Sequence, residues 1–355
     1  MQFSTAPTAS ASYSEDTSGA GIGDRLHIQT LSTHANAPQD QDDANVVVQG
    51  LTQTPKTLPA RFFYDDAGSQ LFEQICDLPE YYLTRTETAI LQACAEAIAN
   101  LTGACELVEL GSGSSTKTRI LLDAYTHQNL PLRYIPIDVS AGILKETAET
   151  LLKDYASLKI LGLVGTYQQA LQQLGPSTLP SRMIAFIGSS LGNLPPAECH
   201  EFLGQIAAAL QPGDYFLLGI DLQPSVDKSK AVLEAAYDDV QGVTAAFNLN
   251  MLRHLNRKFD GDFDLEQFDH VAFYHEERHQ VEMHLRSRCA QTVHLKALDL
   301  TIDLAEGETI HTEISHKFDL DEMQAELRSH HLETVHVQTD PQHRFAVVLS
   351  QLQKH

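Results

Sequence analysis

The chain has 355 residues, 43% hydrophobic and 20% charged, enough for one large domain or two ordinary ones with substantial cores. Its 47 acids against 24 bases give a formal charge of −23, which opposes approach to phosphate backbones and argues for a small-molecule partner, with no nucleic acid and no anionic membrane. Five cysteines without a CxxC pair, no apolar run of membrane-spanning length and no secretory leader point to reduced thiols in a cytoplasmic protein.

Residues 1–45 are rich in Ser, Thr, Ala, Gly and Asp and predict a disordered tail. The stretch 58–85 lies before the sheet signals and carries Tyr64, Tyr81 and Tyr82 beside acids and turns, where an aromatic serves as packing or as the wall of a site. From Thr86 onward helical and strand signals alternate. Residues 87–99 put Ile90, Leu91, Cys94 and Ile98 on one helical stripe. A strand at 106–110, a helix at 117–125, a strand at 134–138 and a helix behind Ser140 follow. Residues 159–164, 183–188 and 215–220 supply three more short apolar strands. Such strands, separated by helices, predict a parallel sheet covered on both faces.

Between Gln223 and Lys317 that rhythm is lost. A helical run through 233–237, with Tyr237 at its end, leads into alternating apolar residues such as Val281, Met283 and Leu285, which predict an inserted domain. The chain ends with a helix at 321–329 and strands at 333–337 and 344–349 around Thr-Asp-Pro-Gln-His, an antiparallel hairpin. The expected fold class is therefore α/β, a mostly parallel sheet with an antiparallel C-terminal hairpin plus an inserted α+β domain, an arrangement that resembles a class I (Rossmann-like) methyltransferase sheet. The expected division is 46–85 with 228–316 for substrate, and 86–227 with 317–355 for the sheet domain.

The segment Leu107-Val-Glu-Leu-Gly-Ser-Gly-Ser-Ser-Thr-Lys-Thr118 runs an apolar strand into Gly-x-Gly and then a helix, and the next strand ends on Asp138. A turn of this kind brings backbone N–H groups close to a nucleotide-like ligand while the acid grips ribose hydroxyls. Three details depart from a dinucleotide site: Thr116 replaces the third glycine, Glu109 precedes the glycines, and Asp138 lies 27 positions past Gly111. A nicotinamide enzyme places its ribose acid about 20 residues on. Lys117-Thr118 does not complete a P-loop, because Thr116 and not glycine precedes the lysine. S-adenosylmethionine, with a ribose and an adenine but no phosphate, suits the pattern better.

His275-Glu-Glu-Arg-His279 matches the zinc-protease pattern HExxH, but its flanks read as strands, so a polar hairpin turn is expected and no metal. The other histidines show no ligand spacing and are expected at the surface. Gly188 to Asn193 follow the fourth apolar strand, where ligands gather at the carboxyl ends of a parallel sheet; Asn193 there either hydrogen-bonds a ligand or shapes a turn. Residues 307–318 read as a strand with Thr309, His311, Glu313 and Ser315 on one face, either solvated or turned toward a ligand.

Several stretches together resemble the histidine-specific, S-adenosylmethionine-dependent methyltransferase family of ergothioneine biosynthesis. They are Phe63-Tyr-Asp-Asp-Ala-Gly-Ser69, Leu78-Pro-Glu-Tyr-Tyr-Leu-Thr-Arg85, Glu109-Leu-Gly-Ser-Gly113 running on to Lys117, Gly192-Asn-Leu194, Ala236-Tyr-Asp-Asp239, Gly242-Val-Thr-Ala-Ala-Phe-Asn248 and Thr312-Glu-Ile-Ser-His-Lys-Phe318. The resemblance covers residues 55–349 and implies Nα-trimethylation of L-histidine to hercynine by a monomer. It implies that Glu109, Gly111, Gly113, Lys117 and Asp138 hold S-adenosylmethionine, with Thr166 and Tyr167 at the adenine, although an acid is expected where Thr166 stands. Tyr81, Asn193 and Tyr237 would hold the amino acid backbone, with Gly188 and Met283 beside it. Tyr64 would sit near the amine as a catalytic residue with Asn193, and Glu313 with Ser315 would read the imidazole. A methyltransferase for another small amine or aromatic amino acid, a non-catalytic cofactor-binding module and a zinc hydrolase on His275 and His279 are the competing readings.

Overall fold

The computed structural model describes residues 22–31 and 39–354. In chain order its strands are β1 (Leu26–Thr30), β2 (Lys56–Thr57), β3 (Cys105–Leu110), β4 (Leu132–Asp138), β5 (Lys159–Val164), β6 (Ser181–Phe186), β7 (Tyr215–Asp221), β8 (Phe268–His275), β9 (Gln280–Ser287), β10 (Gln291–Leu295), β11 (Leu300–Leu304), β12 (Thr309–His316), β13 (Leu332–Thr339) and β14 (Phe345–Leu352). Eight of these form one sheet in the order β1-β5-β4-β3-β6-β7-β14-β13. Its neighbours pair in parallel except at β14, which enters between β7 and β13 and runs against both. The predicted hairpin therefore forms one edge of the sheet, with its second strand next to β7 and its first outermost.

Strands buried on both faces need apolar side chains at odd and even positions alike, and β3 is buried at every residue. Leu107 and Met183 enter the core under the helices Tyr82–Thr102 and Thr118–His127, while Val108 and Ile184 enter the opposite core under Pro196–Ala209 and Leu320–Ser329. The first core does not stop at the sheet. It continues through Leu233, Phe247 and Met251 to Val281, Met283, Leu285 and Ile310, so the inserted region shares one apolar interior with the sheet.

That region is a four-stranded sheet in the order β2-β12-β9-β8, with a separate β10-β11 ribbon, covered by the helices Lys230–Tyr237 and Val243–Phe259. Its edge strand β2 comes from near the chain's start, which joins residues 56–57 to the inserted stretch. The helix Tyr82–Thr102 runs across the boundary expected between residues 85 and 86.

Two expectations are corrected. The disordered tail over 1–45 does not hold where the chain is described: Leu26–Thr30 adds a parallel edge strand to β5, and Gln39–Thr52 is a helix that sends Val47 and Leu51 into the core. Composition misled because the ordering contacts are long-range. Arg25 caps the distant helix Ala141–Asp154 by donating to the carbonyls of Leu152 and Tyr155, both at 2.9 Å. The rest of the predicted tail, 1–21 and 32–38, lies outside the described residues.

The second correction concerns β12. Glu313 pairs with Met283, but His311 pairs with His284, because a bulge interrupts the register between His311 and Glu313. One extra residue reverses the side-chain parity. Glu313 and Ser315 therefore face the core side with Met283 and Val281, and Thr309 and His311 do not share that face. No described helix is long and apolar enough to cross a membrane.

Candidate active site

The loop after β3 is built around two glycines in left-handed backbone, Gly111 at φ 72° and Gly113 at φ 47°. A Cβ on Gly111 would come 2.6 Å from the Tyr167 hydroxyl, so the loop and Tyr167 can approach only at a glycine. Asp138 at the end of β4 accepts from the backbone N–H of Gly113 at 3.0 Å and of Ser140 at 2.9 Å, which fixes the carboxylate beside the loop. Ser112 Oγ is buried there with no partner, an unsatisfied polar atom of the kind a ribose or carboxylate group would complete. Thr166 caps the helix Tyr167–Gln173 and closes a capping box with Gln169, so its acceptor side serves the helix end. A cavity of about 780 Å³ lined by Leu171, Arg182 and Asp214 opens at the other, amino-terminal end of β6 and takes no part in this arrangement.

Glu109 is buried, accepts from Thr118 Oγ1 at 2.6 and 2.7 Å and from the Tyr134 hydroxyl, and burial pushes its carboxyl up to about 7. From pH 4.5 to 7 the folded carboxyl keeps a proton that the unfolded one has released, so its stabilising contribution is complete below pH 4.5 and lost as pH rises through 7. The total is about 3 kcal/mol. Glu109→Gln is accordingly expected to gain on the wild type between pH 5 and 8, by roughly 5 °C in melting temperature. A melting difference that stays constant over this range would contradict it.

Three sequence motifs prove to be braces. In Phe63–Ser69, Asp65 caps the helix Asp66–Asp77 through Gly68 N–H and receives Asn250 Nδ2 at 2.8 Å, while a Cβ on Gly68 would meet Phe63 O at 1.7 Å. These contacts hold Tyr64, 41% exposed, against Phe72 and Phe247. In Leu78–Arg85, the Arg85 guanidinium donates to the carbonyls of Leu78 at 3.1 Å and Tyr81 at 3.2 Å and sets the turn that buries Tyr81. In Gly192–Leu194, a Cβ on Gly192 would lie 2.7 Å from His316 O, so glycine lets β12 close onto this turn.

That closure brings Asn193 to Glu313. Asn193 Nδ2 donates to Glu313 Oε1 at 2.6 Å and to Ile314 O at 2.8 Å. Both partners are acceptors, so the amide nitrogen must face them and the carbonyl Oδ1 is left for a ligand. Burial raises the Glu313 carboxyl to about 7 against the lowering effects of Asn193 and Lys317. Next to it, Ser315 Oγ and the Tyr237 hydroxyl lie 2.7 Å apart, and Tyr81 packs edge-on to Tyr237 with ring centroids 6.1 Å apart. Desolvation of the hydroxyl raises the phenol pKa of the buried Tyr81 and, although that residue is 41% exposed as a whole, of Tyr64 well above the ordinary value, and Glu313 adds to the rise in each. Tyr64, Phe72, Tyr81 and Tyr237 thus form one run of ring contacts that ends on Ser315, and Glu313, with Asn193 and Met283 against it, lies two residues along the same strand face. Tyr81, Tyr82 and Tyr237 are buried in the main core, not set apart from it as their sequence neighbours suggested.

Two carboxylates complete the arrangement that sequence reasoning missed. Glu87, fully buried, accepts from Gly188 N–H at 2.8 Å and pairs with Lys117, tying the exit of β6 to the glycine loop. A lone acid in a helical stripe gives no signal of this. Asp221, at the end of β7, binds Lys228 at 2.6 Å, Lys317 at 2.8 Å and the Tyr82 hydroxyl at 2.7 Å. Here a signal existed: Asp221 ends an apolar strand as Asp138 does, and Lys317 follows Ser315 at strand spacing within a quoted motif.

The HExxH residues sit on the β8–β9 hairpin, where Glu276–Arg278 forms a single 3-10 turn and His279 takes φ 49°, so no helix face aligns His275 with His279. The remaining C-terminal histidines are corrected. Many are half-buried, and folding assembles two groups that linear spacing hid, Glu282 with His284 and His311, and His200 with Glu326 and His330.

A model of the family described as histidine-specific methyltransferase, SAM-dependent, matches residues 41–352. The chain is 46% identical over 301 residues to a histidine N-alpha-methyltransferase of Mycolicibacterium smegmatis, covering 85% of this chain and 92% of the relative. It is 42% identical over 304 residues to the protein of that name from Mycobacterium tuberculosis, covering 86% and 93%. It is 33% identical over 237 residues to ergothioneine biosynthesis protein 1 of Neurospora crassa, covering 62% of this chain and 26% of that protein.

Proposed function

The chain belongs to the histidine-specific, SAM-dependent methyltransferase family, and we propose that it methylates the α-amine of L-histidine three times, giving hercynine for ergothioneine biosynthesis. The observation that carries this reading is the half-buried Asn193–Glu313 contact at 2.6 Å beside the buried Ser315–Tyr237 pair. It sets a carboxylate and a hydroxyl side by side, the two groups that a ring with one N–H and one bare nitrogen requires.

Glu109, the Gly111–Gly113 turn, Lys117, Asp138, Thr166 and Tyr167 are the residues that would hold S-adenosylmethionine. The glycine cradle and the orphaned Ser112 hydroxyl fit a ribose-bearing ligand without phosphate. The sulfonium supplies an electrophilic methyl group, so the protein needs no covalent nucleophile. Its task is to present a neutral amine in line, about 3 to 3.5 Å away. Asn193 Oδ1 accepts one amine N–H and orients the lone pair in the first two transfers, whereas the dimethylated amine of the third has no N–H left and is held by the rest of the substrate. Asn193 cannot take a proton at ordinary pH, and Tyr64, its phenol pKa raised, does not ionise there. Tyr64 therefore passes the amine proton toward water as a neutral hydroxyl.

Incubating the purified protein with methyl-labelled S-adenosylmethionine and each standard amino acid in turn is the test. Label is expected in histidine, reaching the trimethylated product, and at less than about 1% of that rate in phenylalanine or tryptophan. Faster labelling of another amino acid, or none at all, overturns the assignment.

A further inference from the structure

We propose that Lys317 is a positioning residue that turns Ser315 into a proton donor only, so that the site takes histidine with a neutral imidazole and rejects the imidazolium. This rests on the histidine reading given above and deepens it.

An ammonium has three N–H groups and no acceptor. Lys317 is fully buried and all three are engaged, with Asp221 Oδ2 at 2.8 Å, the Tyr237 hydroxyl at 2.9 Å and Ser315 Oγ at 2.9 Å. Asp221 is itself held by Lys228 and Tyr82, so the ammonium has no second place to turn. The two hydroxyls, 2.7 Å apart, share one proton between them. A phenol is the better donor and poorer acceptor of such a pair, so Tyr237 gives its proton to Ser315. Ser315 Oγ then accepts from Tyr237 and from Lys317, which fills both lone pairs. Only its own proton remains for a ligand.

Glu313 lies two residues away on the same strand face and offers only acceptor oxygens when ionised. One acceptor and one donor match a neutral imidazole, which has one N–H and one bare nitrogen. The imidazolium carries two N–H groups, and the second would meet the Ser315 proton with an ammonium 2.9 Å behind it. A carboxylate alone would prefer the cation; Lys317 reverses that preference.

The groups facing Lys317 and the two hydroxyls leave few sources of titration. Asp221 and Lys228 come from β7 and the loop after it, Tyr82 from the long helix and Tyr81 from just before it, and Tyr274 and His270 from β8. The tyrosines titrate above their ordinary range, and His270 is held by Tyr237 O and Asn248 with its pKa lowered. Lys228, depressed by burial to about 8, enters at the top of the range and acts on both substrates alike, which leaves Glu313 and the substrate's own ring to titrate between pH 5 and 8.

The experiment compares KM for histidine with KM for β-(1,2,4-triazol-3-yl)alanine, whose ring stays neutral over that range. Titration of Glu313 affects both, so the ratio isolates the ring. In the wild type the ratio of histidine KM to triazole KM is expected to rise about 30-fold from pH 8 to pH 5, as an imidazole of pKa about 6.5 protonates. In Lys317→Met the rise is expected to shrink below about 3-fold or to invert, and Lys317→Arg to restore part of it. A flat ratio in the wild type overturns the proposal even if Lys317→Met does not fold. A folded Lys317→Met that keeps the 30-fold rise overturns the role of the lysine. Absence of any methyl transfer to histidine is a different result and removes the underlying assignment instead.

Discussion

Glu313→Ala is expected to lower kcat/KM for histidine by about 10³-fold while the dissociation constant for S-adenosylmethionine, measured by calorimetry, changes less than about 2-fold. The magnitude follows from what is lost: a hydrogen bond to a charged group, about 1.5–3 kcal/mol, and the penalty of leaving an imidazole N–H buried without a partner, about 1–3 kcal/mol. Together these come to about 4 kcal/mol, a factor of about 10³. The loss falls on histidine only, so phenylalanine should react no more slowly than before and the preference between them should collapse.

Unfolding does not explain such a result. The folded Glu313 carboxyl sits at about 7 against an ordinary 4.5, so its stabilising contribution is present below pH 4.5 and absent above 7. At pH 8 the wild type holds an ionised, half-buried carboxylate whose removal should leave the melting temperature unchanged or higher. This is the usual relation between a recognition group and the stability of its fold. A variant that melts early, or that loses S-adenosylmethionine in step with histidine, would show Glu313 to be a structural residue.

The sheet was legible because its strands are short, apolar and separated by amphipathic helices, and each boundary lies near a residue with a physical reason to be there. Ser140 caps Ala141–Asp154 and Asp319 caps Leu320–Ser329. Gly188 ends the turn out of β6 at φ 87°. The edge strand at Leu26–Thr30 was not legible, since five residues gain their order only from β5 and from Arg25 reaching the far end of a helix. The bulge in β12 was hidden for a related reason. Strict alternation puts His311 with Glu313, and only the partner strand decides where one residue is skipped.

Residues that announce themselves by type at a strand end or in a motif, such as Asp138, Asn193 and Glu313, could be singled out from the sequence as candidates. Those that act by supporting them could not. Glu87 and Lys228 carry charges in ordinary-looking positions, and their roles follow from burial, which no local pattern encodes. The sequence placed Ser315 on one face with Glu313, as the register has it, but gave no sign that its hydroxyl meets Lys317 and Tyr237.

Asp221→Ala is expected to destabilise the fold by about 3–5 kcal/mol, the range for removing one member of a buried ion pair. The side chains of Asp221, Lys228 and Lys317 are each 0% exposed, and the two ammonium groups converge on the one carboxylate at 2.6 and 2.8 Å. Both lysines hold the Asp221 carboxyl below its ordinary range despite burial. Without it, two like charges remain close together with no counter-ion. Each ammonium keeps two oxygen partners, the carbonyls of Leu222 and Arg344 for Lys228 and two hydroxyls for Lys317, and Lys228 yields first because burial already depresses it to about 8. Loss of Asp221 should therefore make folding strongly pH-dependent, with melting temperature rising as pH climbs from 6 to 9 and Lys228 is neutralised. Asp221→Asn, which keeps one acceptor oxygen, should fall between the variant and the wild type. The double variant Asp221→Ala with Lys228→Met should recover more than half of the loss, because it removes the unpaired charge that causes it. If the single and double variants melt alike and neither responds to pH, the carboxylate fills space and does not hold the site's two cations in place.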